Sequence, residues 1–191
     1  MPDEALEVTG IPPKALIEKA VSLNDMGNIG VAYTYNEPLI GYEYVMDCSK
    51  LAHEYGLKNV LVTNGYINEE PLAGLLPYID AMNIDLKSFN EDFYKRLGGS
   101  LEPVKRTIAH AAGKVHVEVT TLIIPGENDS AGEMEKLSKW LSTVNSEIPL
   151  HITSFFPRHK YIDKRPTPTG TINSLAWVAR NYLRYVFNGQ G

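Results

Sequence analysis

The spacing of hydrophobic residues switches repeatedly between two periods. Six short runs rich in apolar and β-branched residues, at 29–35, 59–63, 81–87, 115–124, 149–155 and 184–187, read as strands. Between them, 38–55, 69–76, 101–112, 133–144 and 171–183 carry apolar residues at helical spacing, for example Leu137, Trp140 and Leu141. A further helix, 13–24, precedes the first strand, and 1–12 reads as an irregular segment of a single domain spanning 1–191. Asn64-Gly65, Gly98-Gly99 and Pro125-Gly126 mark turns, and 157–168 is the one long loop-like stretch. Repeated β–α units predict parallel strands joined by right-handed crossovers.

Two architectures carry such units, an open doubly wound sheet and a (β/α) barrel, and the strands themselves choose between them. A sheet covered on both faces reads as continuous apolar runs. Here the runs alternate. Asn83, Asp85 and Lys87 oppose Met82, Ile84 and Leu86. His116, Glu118 and Thr120 oppose Val117 and Val119, and His151, Thr153 and Phe155 oppose Leu150, Ile152 and Ser154. Period-2 geometry turns each polar set to one side. A polar inner face with helices outside predicts an α/β fold: a partial barrel of about six parallel strands, since a full barrel takes roughly 250 residues.

Composition narrows the class without altering the fold. Hydrophobic residues make up 43% and charged residues 21%, as in an ordinary globular chain. The net charge is -5 with no basic run, which argues against a nucleic-acid partner. No apolar stretch reaches the roughly 20 residues of a membrane helix, and the first ten residues do not form a signal peptide. The expectation is a cytoplasmic protein with no membrane partner. Cys48 is the single cysteine, so the chain makes no internal disulfide and lacks the several thiolates of a cubane cluster.

Polar residues collect at the predicted C-terminal ends of the strands: Asn36 and Glu37, Thr63 and Asn64, Asp85 and Lys87, Glu118 and Thr120, and His151. That rim is where parallel α/β folds bind ligands. Each residue also has a plain structural role open to it. Asn64-Gly65 suits a turn, Glu37-Pro38 can open a helix, Asp85 and Lys87 can pair, and His151 can be a satisfied interior histidine. What favours a site is their gathering at one end of consecutive strands.

Five segments, in order, resemble one family: Tyr33-Thr-Tyr-Asn-Glu-Pro38, Val62-Thr-Asn-Gly-Tyr66, Asn83-Ile-Asp-Leu-Lys87, Thr121-Leu-Ile-Ile-Pro-Gly126 with Asn128-Asp129, and His151-Ile-Thr-Ser-Phe-Phe-Pro157. The family is the radical S-adenosylmethionine (SAM) enzymes related to pyruvate formate-lyase activating enzyme, and the most similar branch is the AmmeMemoRadiSam system radical SAM proteins. The resemblance runs from about residue 10 to about residue 187. It implies a partial (β/α)6 barrel, a [4Fe–4S] cluster held by a C-x3-C-x2-C motif, and SAM chelated to the open iron. Reductive cleavage of SAM would then give a 5′-deoxyadenosyl radical, the protein supplying orientation. It further implies that Asn36 and Glu37 receive the SAM amino group, that Lys87 faces its carboxylate, and that Asp85 meets the ribose or methionine part. Asn64, Thr120, Leu122 and His151 would line the sulfonium and adenosine region. The substrate is left open, a protein being one candidate.

The chain departs from the family in two places. The cluster motif is missing, and Cys48 falls in a predicted helix, where it suits a small core residue. Val62 stands where the activases often carry Asp, which weakens a glycyl-radical activase assignment. The expectation is a barrel lacking the family's first strand and cluster loop: a fragment, inactive alone, or a natural cluster-less relative, the fragment being favoured. An in-frame C-x3-C-x2-C in the DNA upstream of Met1 would decide. Two other classes stay open. Lys87 could form a Schiff base, as in an aldolase-like barrel. A binding or assembly module could self-associate through the exposed edge at 29–35.

Overall fold

The computed structural model describes residues 10–157 and 162–189. Part of the expected loop at 157–168, and most of the irregular segment at 1–12, lie outside the described residues.

One six-stranded sheet runs in chain order. Its strands are β1 (Gly30–Tyr33), β2 (Lys58–Thr63), β3 (Ala81–Asp85), β4 (His116–Ile123), β5 (Leu150–Ser154) and β6 (Val186–Gly189). Every neighbouring pair is parallel. The helices are α1 (Pro13–Val21), α2 (Tyr42–Glu54), α3 (Glu69–Leu75), α4 (Glu91–Arg96), α5 (Leu101–Ala112), α6 (Ala131–Asn145) and α7 (Thr169–Ala179). Among the described residues no helix is long and apolar enough to cross a membrane.

Strand alternation becomes a two-faced sheet. One ladder row on the helical side is Tyr33–Leu61–Met82–Val117, and the next is Thr63–Ile84–Val119–Leu150–Val186. These side chains are buried against one core supplied by α2 to α7, including Leu75, Ile108, Leu137 and Leu175. Fully burying one such Leu or Ile contributes about 2 kcal/mol. Among the described residues the opposite face has no helical layer, and this concave face carries the polar set.

Two glycines are dictated by geometry. A Cβ on Gly30 would fall on the Lys58 carbonyl, so only glycine lets β1 approach β2 there. Gly65 has φ +70, and its Cβ would lie 2.7 Å from a methyl of Ile84.

Element ends differ from the sequence reading by up to four residues: the helix expected over 171–183 runs Thr169–Ala179, that over 13–24 ends at Val21, and the strand over 29–35 is Gly30–Tyr33. Four further details differ. The helix expected over 38–55 begins as a separate 3-10 turn, Pro38–Gly41, whose start Glu37 caps by accepting from Leu39 N. Helix α4 is unforeseen. Its six residues are too few to show a period, yet Asn90 caps it through Asp92 N and Phe93 N. Strand β6 starts at Val186, two residues later than expected. Phe155, expected on the polar face, lies beyond β5 and is buried, its N–H donating to Thr167 Oγ1.

Candidate functional site

The concave face is a grid whose rows follow from the ladder register. The first row is Ala32–Val60–Ala81–His116, and the second is Val62–Asn83–Glu118. The third is Asp85–Thr120–His151–Phe187, and the fourth is Leu122–Thr153–Gly189. Strand stagger therefore levels Asp85, at the end of β3, with His151, the second residue of β5. The sequence reading places Glu118, Thr120 and His151 at strand ends. That is corrected: all three lie within their strands, and the stagger of the sheet brings Thr120 and His151 level with Asp85.

Polar groups in the grid pair with their neighbours. Thr120 Oγ1 donates to Asn83 Oδ1 at 2.8 Å. Lys87 Nζ lies 2.7 Å from Asp85 Oδ2. Glu118 takes two imidazoles, His151 Nε2 at 2.7 Å on Oε2 and His116 Nε2 at 3.1 Å on Oε1. Burial alone would raise the Glu118 carboxyl, but the hydrogen bonds from His116 and His151 outweigh it and hold it below the usual range. The His151 ring stacks on Phe187, centroids 5.2 Å apart.

The rim is built by loops. After β1, Tyr35 and Asn36 both take positive φ, 66° and 51°. Such backbone is costly for L residues and clusters at functional sites. It delivers Glu37 to the mouth of β2. Its Oε1 accepts from Thr63 Oγ1 (2.7 Å) and Leu39 N (3.1 Å), and its Oε2 from Asn64 N (2.7 Å). Asn64 Oδ1 accepts from Tyr66 N, closing the turn.

The rim after β3 is held from three sides. Lys87 N donates to Tyr94 Oη at 3.1 Å, and Lys87 O accepts from Asn128 Nδ2 at 2.8 Å. Asn128, 4% exposed, also donates to Leu122 O and accepts from Ile124 N. Glu133, in the first turn of α6, accepts from Ser88 Oγ and Phe89 N.

Glu37, Asn64, Asp85 and Lys87 line one cleft of about 500 Å³, walled by Ile40, Tyr66, Leu97 and the backbone of Gly98 and Gly99. Asn36, Thr120, Leu122 and His151 are not in its wall. Asn36 is exposed on the rim, and Thr120, His151 and Leu122 continue the surface across β4 and β5. Another cleft, of about 330 Å³ between α3 and α5, holds none of the expected site residues.

Each structural role considered from the sequence is thus filled: a cap, a turn, an ion pair, a bonded histidine. Filling them does not use the residues up. A carboxylate offers about four acceptor positions and Glu37 spends three, leaving one on Oε2. The Asp85–Lys87 pair is 36% and 42% exposed, so it contributes at most about 1 kcal/mol to stability.

An iron–sulfur cluster does not fit. Cys48 is fully buried on α2, and burial pushes its thiol up, away from the thiolate a metal takes. Among the described residues no three of His, Cys, Asp and Glu are grouped to hold a metal ion. Sequence reasoning misses the parts played by Tyr94, Asn128, Glu133 and His116. Asn128 enters it only as part of a motif, and its signal is an Asn two residues beyond a Pro-Gly turn.

The sequence profile of the radical SAM superfamily matches residues 7–141. An uncharacterized protein of Methanocaldococcus jannaschii is 39% identical over 98% of this chain and 56% of its own length. The 4-hydroxyphenylacetate decarboxylase activating enzyme of Clostridium scatologenes is 25% identical over 66% of this chain and 41% of its own. The chain spans about half the length of the curated relatives it matches. A crystal structure of a domain of pyruvate-formate lyase-activating enzyme from Bacteroides vulgatus superposes with TM-score 0.71 at 18% identity, over 84% of this chain and 98% of that one.

Proposed function

The chain belongs to the radical SAM superfamily, and from that premise we propose that it is activating-enzyme-like and that the third grid row and the adjoining cleft bind SAM. The observation that carries this reading is the register that levels Asp85, Thr120 and His151 on one concave face beside Glu37 and Asn64.

In this reading the ammonium of SAM takes the remaining acceptor position on Glu37 Oε2, with Asn36 beside it. An ammonium gains from a carboxylate acceptor by a charge-assisted bond. Lys87 leaves Asp85 to meet the SAM carboxylate, and Asp85 then faces the ribose or methionine part. Asn64, Thr120, Leu122 and His151 line the sulfonium and adenosine side. SAM supplies the group that is cleaved reductively in the intact family, and this chain's residues supply grip and orientation. With one buried thiol, the chain as it stands neither assembles the cluster nor cleaves SAM. The whole enzyme's substrate, for which a protein is one candidate, lies beyond these residues.

Affinity without iron chelation is small. A charge-assisted hydrogen bond contributes about 1.5–3 kcal/mol, against several kcal/mol for immobilising the ligand. Calorimetry with SAM on wild type and Lys87→Ala tests the site. Weak heat lost in the variant supports it, whereas equal binding by both refutes it. Anaerobic reconstitution with iron and sulfide analysis tests the cluster, and stoichiometric cluster per chain would overturn that half. Self-association through β1 stays a proposal, supported by exposed Ile29 beside this edge strand.

A further inference from the structure

The concave face holds two titratable side chains to which the SAM reading gives no role, Glu118 and His116, and both bear on His151, Glu118 directly and His116 through Glu118. The two imidazoles approach different oxygens of the same carboxylate, each through Nε2. An ionised carboxylate only accepts, so each Nε2 must carry the hydrogen. The Glu118 carboxyl is held below its usual range, which keeps it ionised at neutral pH. Phe187, stacked at 5.2 Å and 20°, holds the His151 ring plane. The charged and titratable neighbours on this face are His116 in the first row and Asp85 in the third, the latter paired with Lys87 at 2.7 Å, with uncharged Asn83 and Thr120 between them.

We propose that Glu118 is a positioning residue that fixes His151 as the Nε2–H tautomer and presents its Nδ1 as a hydrogen-bond acceptor to the ligand of the third row. The group that meets His151 must then be an N–H or O–H donor, such as the amino or hydroxyl of a nucleoside. A carbonyl or phosphate oxygen at that point would face a lone pair. The ligand half of this inference rests on the SAM reading, and the tautomer half stands without it. His116 is the second prop, since its bond to Oε1 keeps the carboxylate from turning away.

The test is nitrogen-15 imidazole spectroscopy on the labelled chain at neutral pH, with His151→Gln and His116→Phe assigning the two rings. In the wild type, both rings should show the Nε2–H form in excess by roughly tenfold or more, as a charge-assisted bond implies. In Glu118→Gln the side-chain amide can accept from only one ring and donates to the other. At least one of His116 and His151 should therefore switch to Nδ1–H. In His116→Phe, His151 should keep Nε2–H, because its own bond to Glu118 is untouched. Nδ1–H at His151 in the wild type, or no switch in Glu118→Gln with the fold intact by circular dichroism, overturns the proposal. Millimolar SAM should then shift the His151 Nδ1 resonance of the wild type. A correct tautomer that SAM leaves unmoved refutes the placement of SAM in this row and not the role of Glu118.

Discussion

The rims after β3 and after β1 face one cleft across β2 and are held in opposite ways. After β3, the backbone of Lys87 is tied on both sides by Tyr94 and Asn128, and Ser88 and Phe89 are tied to Glu133. Asn128 and Ser88 are buried, so these bonds are protected from water. After β1, Tyr35 and Asn36 hold a strained backbone, Tyr35 is 88% exposed and Ile40 85% exposed. One half-buried carboxylate, Glu37, ties that rim to β2. The anionic and cationic ends proposed for SAM thus rest on unequal supports, a rigid one under Lys87 and a single strut at Glu37.

The largest effect should come from attacking the rigid side. Asn128→Asp replaces the amide donor with an oxygen facing two carbonyls, Lys87 O and Leu122 O, at a buried position. Urea unfolding should show a loss of about 3 kcal/mol or more, the scale of an uncompensated buried charge. A loss under about 1 kcal/mol, no more than an ordinary hydrogen bond contributes, would mean that the clamp carries little of this rim.

Glu37→Ala on the other side leaves Thr63 Oγ1, Leu39 N and Asn64 N without their acceptor. Water reaches this half-buried site, so the expected loss is about 1–2 kcal/mol. A loss equal to that of Asn128→Asp would erase the contrast between the rims.

A smaller effect of opposite sign is expected from Tyr35→Gly. Relief of left-handed backbone returns about 1–2 kcal/mol, and glycine's extra unfolded-chain entropy removes about 0.5–1 kcal/mol of it. The melting temperature should rise slightly, and a fall would show that the Tyr35 ring contributes packing.

Acid sensitivity is the smallest of the four. Glu118 is lowered from an ordinary 4.5 when folded, so its contribution is complete above that pH and is lost as pH falls through the folded value. Stability of the wild type should decline below about pH 4.5, and Glu118→Gln should flatten the decline. Identical pH profiles would show that the imidazole bonds do not hold the carboxylate.

The same contrast explains what was legible in the sequence. Strands β2 to β5 were readable within two residues, because alternation such as Met82–Asn83–Ile84–Asp85 needs no tertiary information. The faces of Asp85, Thr120 and His151 followed from the same period. Their alignment did not, because it depends on stagger between strands, which no single run encodes. The strained Tyr35-Asn36 turn carries no glycine to announce it. The Asn128 clamp joins residues 41 apart, a distance over which local pattern is silent.

Whether the concave row and its cleft are a SAM surface is tested most directly by amide mapping. Titrating SAM into the nitrogen-15-labelled chain should perturb Glu37, Asn64, Asp85, Lys87, Thr120 and His151 together, with Kd on the order of 0.1–1 mM, corresponding to about 4–5.5 kcal/mol. Perturbations confined to the cleft between α3 and α5, or none at several times that concentration, would contradict the assignment.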